Sequence, residues 1–233
     1  MTETRLQTTA DGSKTLYSER YGQSYHSHRG ALSEAKHVFL EASGVAARLR
    51  AGQPTRVLEV GFGTGLNFLV TADLALRADA SLHYCALERS LLSLADLSSL
   101  GYRDVLSQEE LFDAFLEGLP KEPPAGRYRL SLYPTITLEL LLGEATAQTL
   151  DGRFDAVYHD AFSPDSNPEL WSEGFLRGLY ASMASHAVLS SYCVKGTVRR
   201  RLQELGFAVR KRPGPAGGKR EMMVAAIEAG VLE

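Results

Sequence analysis

The apolar positions of this chain alternate between two periods. Short continuous apolar runs at residues 56–60, 81–87, 154–159 and 187–194 read as buried strands, and runs at 207–210 and 222–227 read as a closing pair. Between them, apolar residues recur at helical spacing over 66–77 and 176–183. Ahead of the first strand, Ala35, Val38, Phe39, Ala42, Val45, Ala46 and Leu49 mark one amphipathic helix that ends near Gly52 and Pro54. Strands alternating with helices predict the α/β class. Tyr128, Leu130 and Leu132, then Ile136, Leu138 and Leu140, alternate with polar residues on either side of Pro134 and Thr135, which is a hairpin signal. Residues 91–125 are leucine-rich and helical in pattern, an insertion expected to fold against the binding crevice. Residues 1–31 are polar and glycine-dotted, and read as an arm outside the core with an edge strand near 15–17.

Composition narrows the class without changing this outline. A chain of 233 residues with 44% hydrophobic content supports one sizeable core, so a single domain is expected: arm and helix over 1–52, then the α/β core over 53–233. No apolar run approaches the roughly 20 residues that span a bilayer. Thr2, Glu3, Thr4 and Arg5 lack the basic-then-apolar pattern of a signal peptide, so no membrane and a cytoplasmic location are expected. Cys85 and Cys193 sit in apolar runs without CxxC spacing and read as small buried hydrophobes, leaving no metal site or disulfide to expect. A net charge of -3 argues against a protein that coats nucleic acid over its whole surface but leaves room for a local basic patch.

Candidate chemistry gathers at the strand ends. The strand at 56–60 carries Glu59 and runs into Gly61-Phe62-Gly63-Thr64-Gly65-Leu66-Asn67. Glycines just past the carboxyl end of a parallel strand let backbone amides approach a ligand where a Cβ would collide. The GxGxG spacing favours S-adenosylmethionine over the dinucleotides read by GxGxxG, and a plain strand-to-helix turn is the alternative. Glu88, closing the next strand, fits a carboxylate on a ribose diol. Glu144, at a third strand end, suits an adenine amine.

The fourth strand delivers Asp160 onto a loop stiffened by Pro164 and Pro168 and carrying Phe162, a frame suited to positioning a small cation or, alternatively, a plain strand-to-helix connection, with Trp171 expected to anchor the following helix. In the arm, Tyr21, Tyr25, His26, Ser27, His28 and Gly30 form a cluster whose composition suits a site lining or, equally, a surface arm packed on the domain. Between Lys195 and Arg220 lie Arg199, Arg200, Arg201, Arg210, Lys211, Arg212 and Lys219, with Glu204 the lone acid before Lys219. They suggest a face for phosphates or, alternatively, a solvated basic surface.

These residues together resemble a family. Tyr25-His26-Ser27 with Gly30 and Glu34, the segment Glu59 to Phe68, Asp160-Ala161-Phe162-Ser163-Pro164 with Asn167-Pro168-Glu169-Leu170-Trp171, and the basic stretch ending Lys219-Arg220-Glu221-Met222 are similar to the methyltransferase half of the bacterial tRNA 5-methylaminomethyl-2-thiouridine biosynthesis proteins, here in standalone form. The resemblance implies a class I methyltransferase: a Rossmann-like seven-stranded sheet, last strand antiparallel, with helices on both faces. It implies methyl transfer from S-adenosylmethionine to the exocyclic amine of 5-aminomethyl-2-thiouridine at tRNA wobble position 34, without the flavin-dependent half of bifunctional relatives.

It further implies that Glu59, Gly61, Phe62, Gly63, Thr64, Gly65 and Asn67 hold the methionine end of the donor, with Glu88 on the ribose and Glu144 near the adenine. Tyr25 and Ser27 close over the donor. Asp160, Phe162 and Pro164 receive the amine, and Lys195, Arg199, Arg200, Lys219 and Arg220 receive anticodon-loop phosphates. Ala161 stands where bifunctional relatives carry glycine, and Glu144 where many carry aspartate. A small-molecule amine methyltransferase, a nicotinamide-dependent oxidoreductase and a non-catalytic binding domain are the competing readings.

Overall fold

The computed structural model describes residues 4–233; Thr2 and Glu3, part of the amino-terminal stretch read above, lie outside them. The chain opens with β1 (Thr4–Thr8), β2 (Lys14–Ser18) and β3 (Gln23–Ser24), a small antiparallel sheet in the order β1-β2-β3. This arm is less peripheral than its polar composition suggests. Leu16 of β2 is 1% exposed and belongs to the main core, so one well-placed apolar residue docks the sheet.

The single helix expected over 33–52 is divided. A turn of α-helix (Ala31–Glu34) passes into a π-helical stretch (Ala35–Glu41), and a second helix (Val45–Arg50) follows after Gly44. Gly44 adopts φ 81°, a left-handed conformation that ends the first segment. The apolar stripe stays buried on both pieces, so the spacing marked the buried face and missed the break.

The central sheet is built from β4 (Thr55–Val60), β5 (Leu82–Glu88), β6 (Gly126–Tyr133), β7 (Ile136–Leu142), β8 (Phe154–His159), β9 (Met183–Ser191), β10 (Ala208–Pro213) and β11 (Glu221–Ala226), in the order β10-β11-β9-β8-β4-β5-β7-β6. Strands β7, β5, β4, β8 and β9 are mutually parallel, while β11 runs antiparallel to both β9 and β10. That is the expected seven-stranded class I arrangement with its last strand reversed. An eighth strand, β6, is added at the edge by the hairpin, with Leu130 opposite Leu138.

Strand β9 begins four residues earlier than its apolar run, because Met183 pairs with Phe154 across a register shift before the regular ladder starts at Val188. The helix after β4 spans Leu66–Arg77, buried over most of its circumference between the arm-side helices and the sheet. Residues 91–125 hold two helices, Leu94–Ser99 and Glu110–Gly118. The second packs Phe115 against Phe62 of the glycine loop and Phe68 of the helix after it.

This topology brings the carboxyl ends of β4, β5 and β8 to one edge, where backbone bonds lock them together. Gly61 N–H donates to the Leu87 carbonyl at 3.0 Å, and Asp160 N–H donates to the Val60 carbonyl at 3.0 Å.

Candidate active site

A cavity lies over that edge. Its floor is Gly61, Phe62, Gly63 and Thr64; Glu88 and Glu144 stand on one side, Asp160 and Phe162 on the other. The arm closes it with Tyr21, Tyr25 and Ser27, and Glu34 reaches in from the first helix.

The glycine loop is shaped by close approach. Gly61 and Gly63 have φ of 90° and 54°, and a Cβ on Gly61 would lie 2.9 Å from the Asp160 carbonyl oxygen. A Cβ on Gly63 would lie 2.9 Å from the Tyr25 ring. The Gly63 N–H donates to Glu88 Oε2 at 3.0 Å, and Glu88 Oε1 accepts the Ser90 N–H at 3.1 Å, so this acid braces the loop and still offers lone pairs to the cavity. Gly65 faces away: a Cβ there would meet the Phe115 and Phe62 rings, which makes it a packing glycine. Thr64 faces two ways. It lines the cavity, and its hydroxyl accepts from Tyr102 at 3.0 Å and lies 3.5 Å from His26 Nε2.

Three acids meet around Asp160. Asn67 donates to Asp160 Oδ2 at 2.9 Å and to Glu59 Oε1 at 2.8 Å. Glu59 is fully buried and Asn67 nearly so, and neither lines the cavity; the Asn67 amide links the Glu59 and Asp160 carboxyls from below. Burial pushes the Glu59 carboxyl up to about 8. Asp160 is raised well above the usual carboxylate range by burial first, then by the charges of Glu34 and Glu59. Burial raises Glu34 too, against a 2.9 Å hydrogen bond from the Ser27 N–H. Such a cluster gains most from a bound cation.

The mouth is aromatic and basic. Tyr21 stacks on Phe162 with centroids 4.4 Å apart, and Tyr25 lies 5.2 Å from the same ring. Gln23 donates to Ser163 and Ser166, at 2.9 Å and 2.6 Å, and so fastens the arm to the Asp160 loop. From inside, buried Trp171 holds that loop by donating to the Phe162 carbonyl at 2.9 Å. Pro164 shapes the loop without lining the cavity.

The basic residues divide. Lys219 lines the cavity. Lys195 is paired with Asp165 at 2.5 Å, Arg199 is half-buried, and Arg200 and Arg220 are exposed on the flank without lining the cavity. Glu144 is held by Arg89 at 2.9 Å on the opposite rim.

Residues 107–228 match the model of a family described as S-adenosyl-L-methionine-dependent methyltransferase. The chain is 38% identical over 219 residues to the tRNA 5-methylaminomethyl-2-thiouridine biosynthesis bifunctional protein MnmC of Burkholderia multivorans, covering 90% of this chain and 33% of the relative. It is 39% identical to the MnmC of Cupriavidus metallidurans over 91% of this chain and 32% of that protein. The chain therefore spans about a third of the length of these curated relatives. The crystal structure of MnmC2 from Aquifex aeolicus superposes with a TM-score of 0.80 at 30% identity, covering 98% of this chain and 72% of that one. The chain belongs to this methyltransferase family.

S-adenosyl-L-methionine is accordingly its methyl donor, and the cavity suits that group. Gly61 and Gly63 let the loop backbone approach Asp160 and Tyr25 at the cavity floor where a Cβ would collide, Glu88 stands at the end of β5, and the carboxyls of Asp160 and Glu34 in the wall suit a cationic sulfonium. Among the described residues no helix is long and apolar enough to cross a membrane, and no cluster of His, Cys, Asp or Glu could hold a metal ion.

For a family member the arm contributes more than its sequence shows. Tyr21 and His26 of the cluster read from the sequence line the site, joined by Gln23, which the sequence did not single out, and by Tyr192 just past β9. Glu34 stands in the first turn of its helix, where an acid also favours the helix dipole. Only its burial and its place in the cavity wall set it apart.

Proposed function

We propose that the protein methylates the exocyclic amine of 5-aminomethyl-2-thiouridine at the wobble position of tRNA. The observation that carries this reading is the recessed carboxyl pair of Glu34 and Asp160, which shares one cavity with the glycine loop and opens through an aromatic, basic mouth. The acids suit an aminomethyl cation and the Tyr21–Phe162 stack suits an unstacked base. The names of the curated relatives support the same substrate class.

When bound over the glycine loop and Glu88, S-adenosylmethionine would supply an electrophilic methyl group, leaving the electron pair of that bond on sulfur as the amine takes the methyl. The chain's own residues hold and prepare the acceptor. Asp160 binds the incoming ammonium and takes its proton, a task suited to a carboxyl whose proton affinity burial has raised. Asn67 fixes the carboxylate's orientation from below. Tyr25 covers Gly63, and the Gln23 latch keeps the arm over the mouth, excluding water. Fixing the acceptor amine in one position would supply much of the rate.

Asp160→Asn tests the assignment. Cofactor binding should persist while turnover on aminomethylated tRNA falls by roughly two orders of magnitude or more; unchanged turnover removes Asp160 from the reaction. Comparing tRNA with the free nucleoside separates this reading from a small-molecule amine methyltransferase, which would turn over both alike.

A further inference from the structure

Carboxylates that recognise an ammonium also hold its proton in place, yet only the neutral amine can attack. Lys219 stands where that balance is set. It lies between β10 and β11, lines the cavity, and places Nζ 3.9 Å from the centroid of the Tyr192 ring. Tyr192 is itself pinned, its hydroxyl donating to the Ala161 carbonyl at 2.7 Å, one residue from Asp160.

The loop that carries Lys219 is tied down. Arg29 Nη1 donates to the Gly218 carbonyl at 3.1 Å, the Gly214 N–H to the Arg220 carbonyl at 3.0 Å, and His37 Nε2 to the Pro213 carbonyl at 3.0 Å. The lysine's charge is felt inside the site, where it draws down the proton affinities of Glu34, Asp160 and Cys193. The groups that face it across the site are Glu34 on the first helix, Asp160 after β8, and Tyr192 and Cys193 after β9, with Glu59 behind Asp160 and the Lys195–Asp165 pair beside Cys193.

We propose that Lys219 is a catalytic residue of the amine methylation inferred above, its ammonium disfavouring the charged form of the acceptor so that the amine meets the methyl group as a neutral nucleophile. The inference rests on that reading. The proton passes from the acceptor nitrogen to the Asp160 carboxylate and then to solvent at the mouth, and no other co-reactant is needed. In the open cavity water screens Lys219, which is exposed at the rim. A nucleotide filling the mouth displaces that water and strengthens the repulsion. A role on a backbone phosphate would instead draw the cation off Tyr192 and away from the acids.

Lys219→Met and Lys219→Arg, made in the full chain, test the role on aminomethylated tRNA. The Met variant should shift the rising limb of the kcat–pH profile up by about one unit or more. That loses roughly tenfold at pH values below the limb and recovers it above, with KM for tRNA nearly unchanged, and the Arg variant should retain the wild-type profile. A second readout needs no turnover: in the complex with S-adenosylhomocysteine, the 15N shift of a labelled aminomethyl group should report neutral amine with the wild type and ammonium with the Met variant at the same pH. An unmoved profile and nitrogen shift, with raised KM and flattened salt dependence, would make Lys219 a phosphate ligand and overturn the proposal. A wild type inactive on this tRNA would reject the substrate reading and this role together, whereas an active wild type with an unmoved variant rejects the role alone.

Discussion

Asn67 and Asp160 are joined by a 2.9 Å hydrogen bond from side-chain amide to carboxylate, and the second amide hydrogen goes to Glu59 at 2.8 Å. One residue at the start of the helix after β4 thus governs an acid on the loop after β8. Asn67→Ala should leave cofactor affinity within about threefold and lower kcat by roughly 10- to 100-fold, the cost of a misplaced catalytic group. Calorimetry and single-turnover kinetics separate the two effects. A large fall in cofactor affinity with intact kcat would return Asn67 to the direct cofactor role that the sequence suggested.

The glycine loop should tolerate no side chain at Gly63. Alanine there meets both a left-handed backbone, strained by about 1 kcal/mol, and the Tyr25 ring at 2.9 Å. Cofactor dissociation constants should rise at least about tenfold for Gly63→Ala. In a Tyr25→Ala background, where the ring is gone, part of that loss should be restored. Equal losses in both backgrounds would show that the ring is irrelevant.

Glu59 makes a stability prediction with a definite sign. Its carboxyl titrates near about 8 in the fold against about 4.5 in the unfolded chain, so the folded state binds this proton more tightly. Its contribution is fully present below about pH 4.5 and is lost as pH rises toward 8. Glu59→Gln, neutral at every pH, should show a smaller drop in Tm between pH 5 and pH 9 than the wild type; Asp160 and Glu34, also raised, keep part of the decline. Parallel Tm curves would contradict this.

Much of the architecture was legible because its causes are local. The apolar runs at β4 and β8 and the helical spacing over Leu66–Arg77 coincide with the observed elements, and the glycine loop read at the end of β4 lines the cavity. What escaped was set by tertiary packing. The π-helical stretch keeps the same apolar stripe as an α-helix, so periodicity cannot register it. Leu16 looks like one apolar residue in a polar arm until the sheet docks it. Glu59, two residues from the glycine loop, reads as a ligand by position, and only the fold shows its side chain beneath the floor. Gln23, which no sequence pattern marked, joins the site through Ser163 and Ser166, some 140 residues away, a pairing no local pattern carries.

The flank of the mouth should carry the salt dependence of tRNA binding. Charge reversal at Arg199 and Arg200 should weaken affinity and reduce the slope of log K against log salt by roughly one for each phosphate no longer neutralised. The effect on the free nucleoside should be negligible. Unchanged tRNA affinity would make these residues a solvated surface.

The central claim meets its most direct test in mass spectrometry of wobble uridines after the protein and S-adenosylmethionine are incubated with tRNA carrying 5-aminomethyl-2-thiouridine. The account predicts conversion to the singly methylated amine, dependent on Asp160, with no other nucleoside altered. An unmodified wobble nucleoside, under conditions where the protein binds both the cofactor and the tRNA, would contradict it.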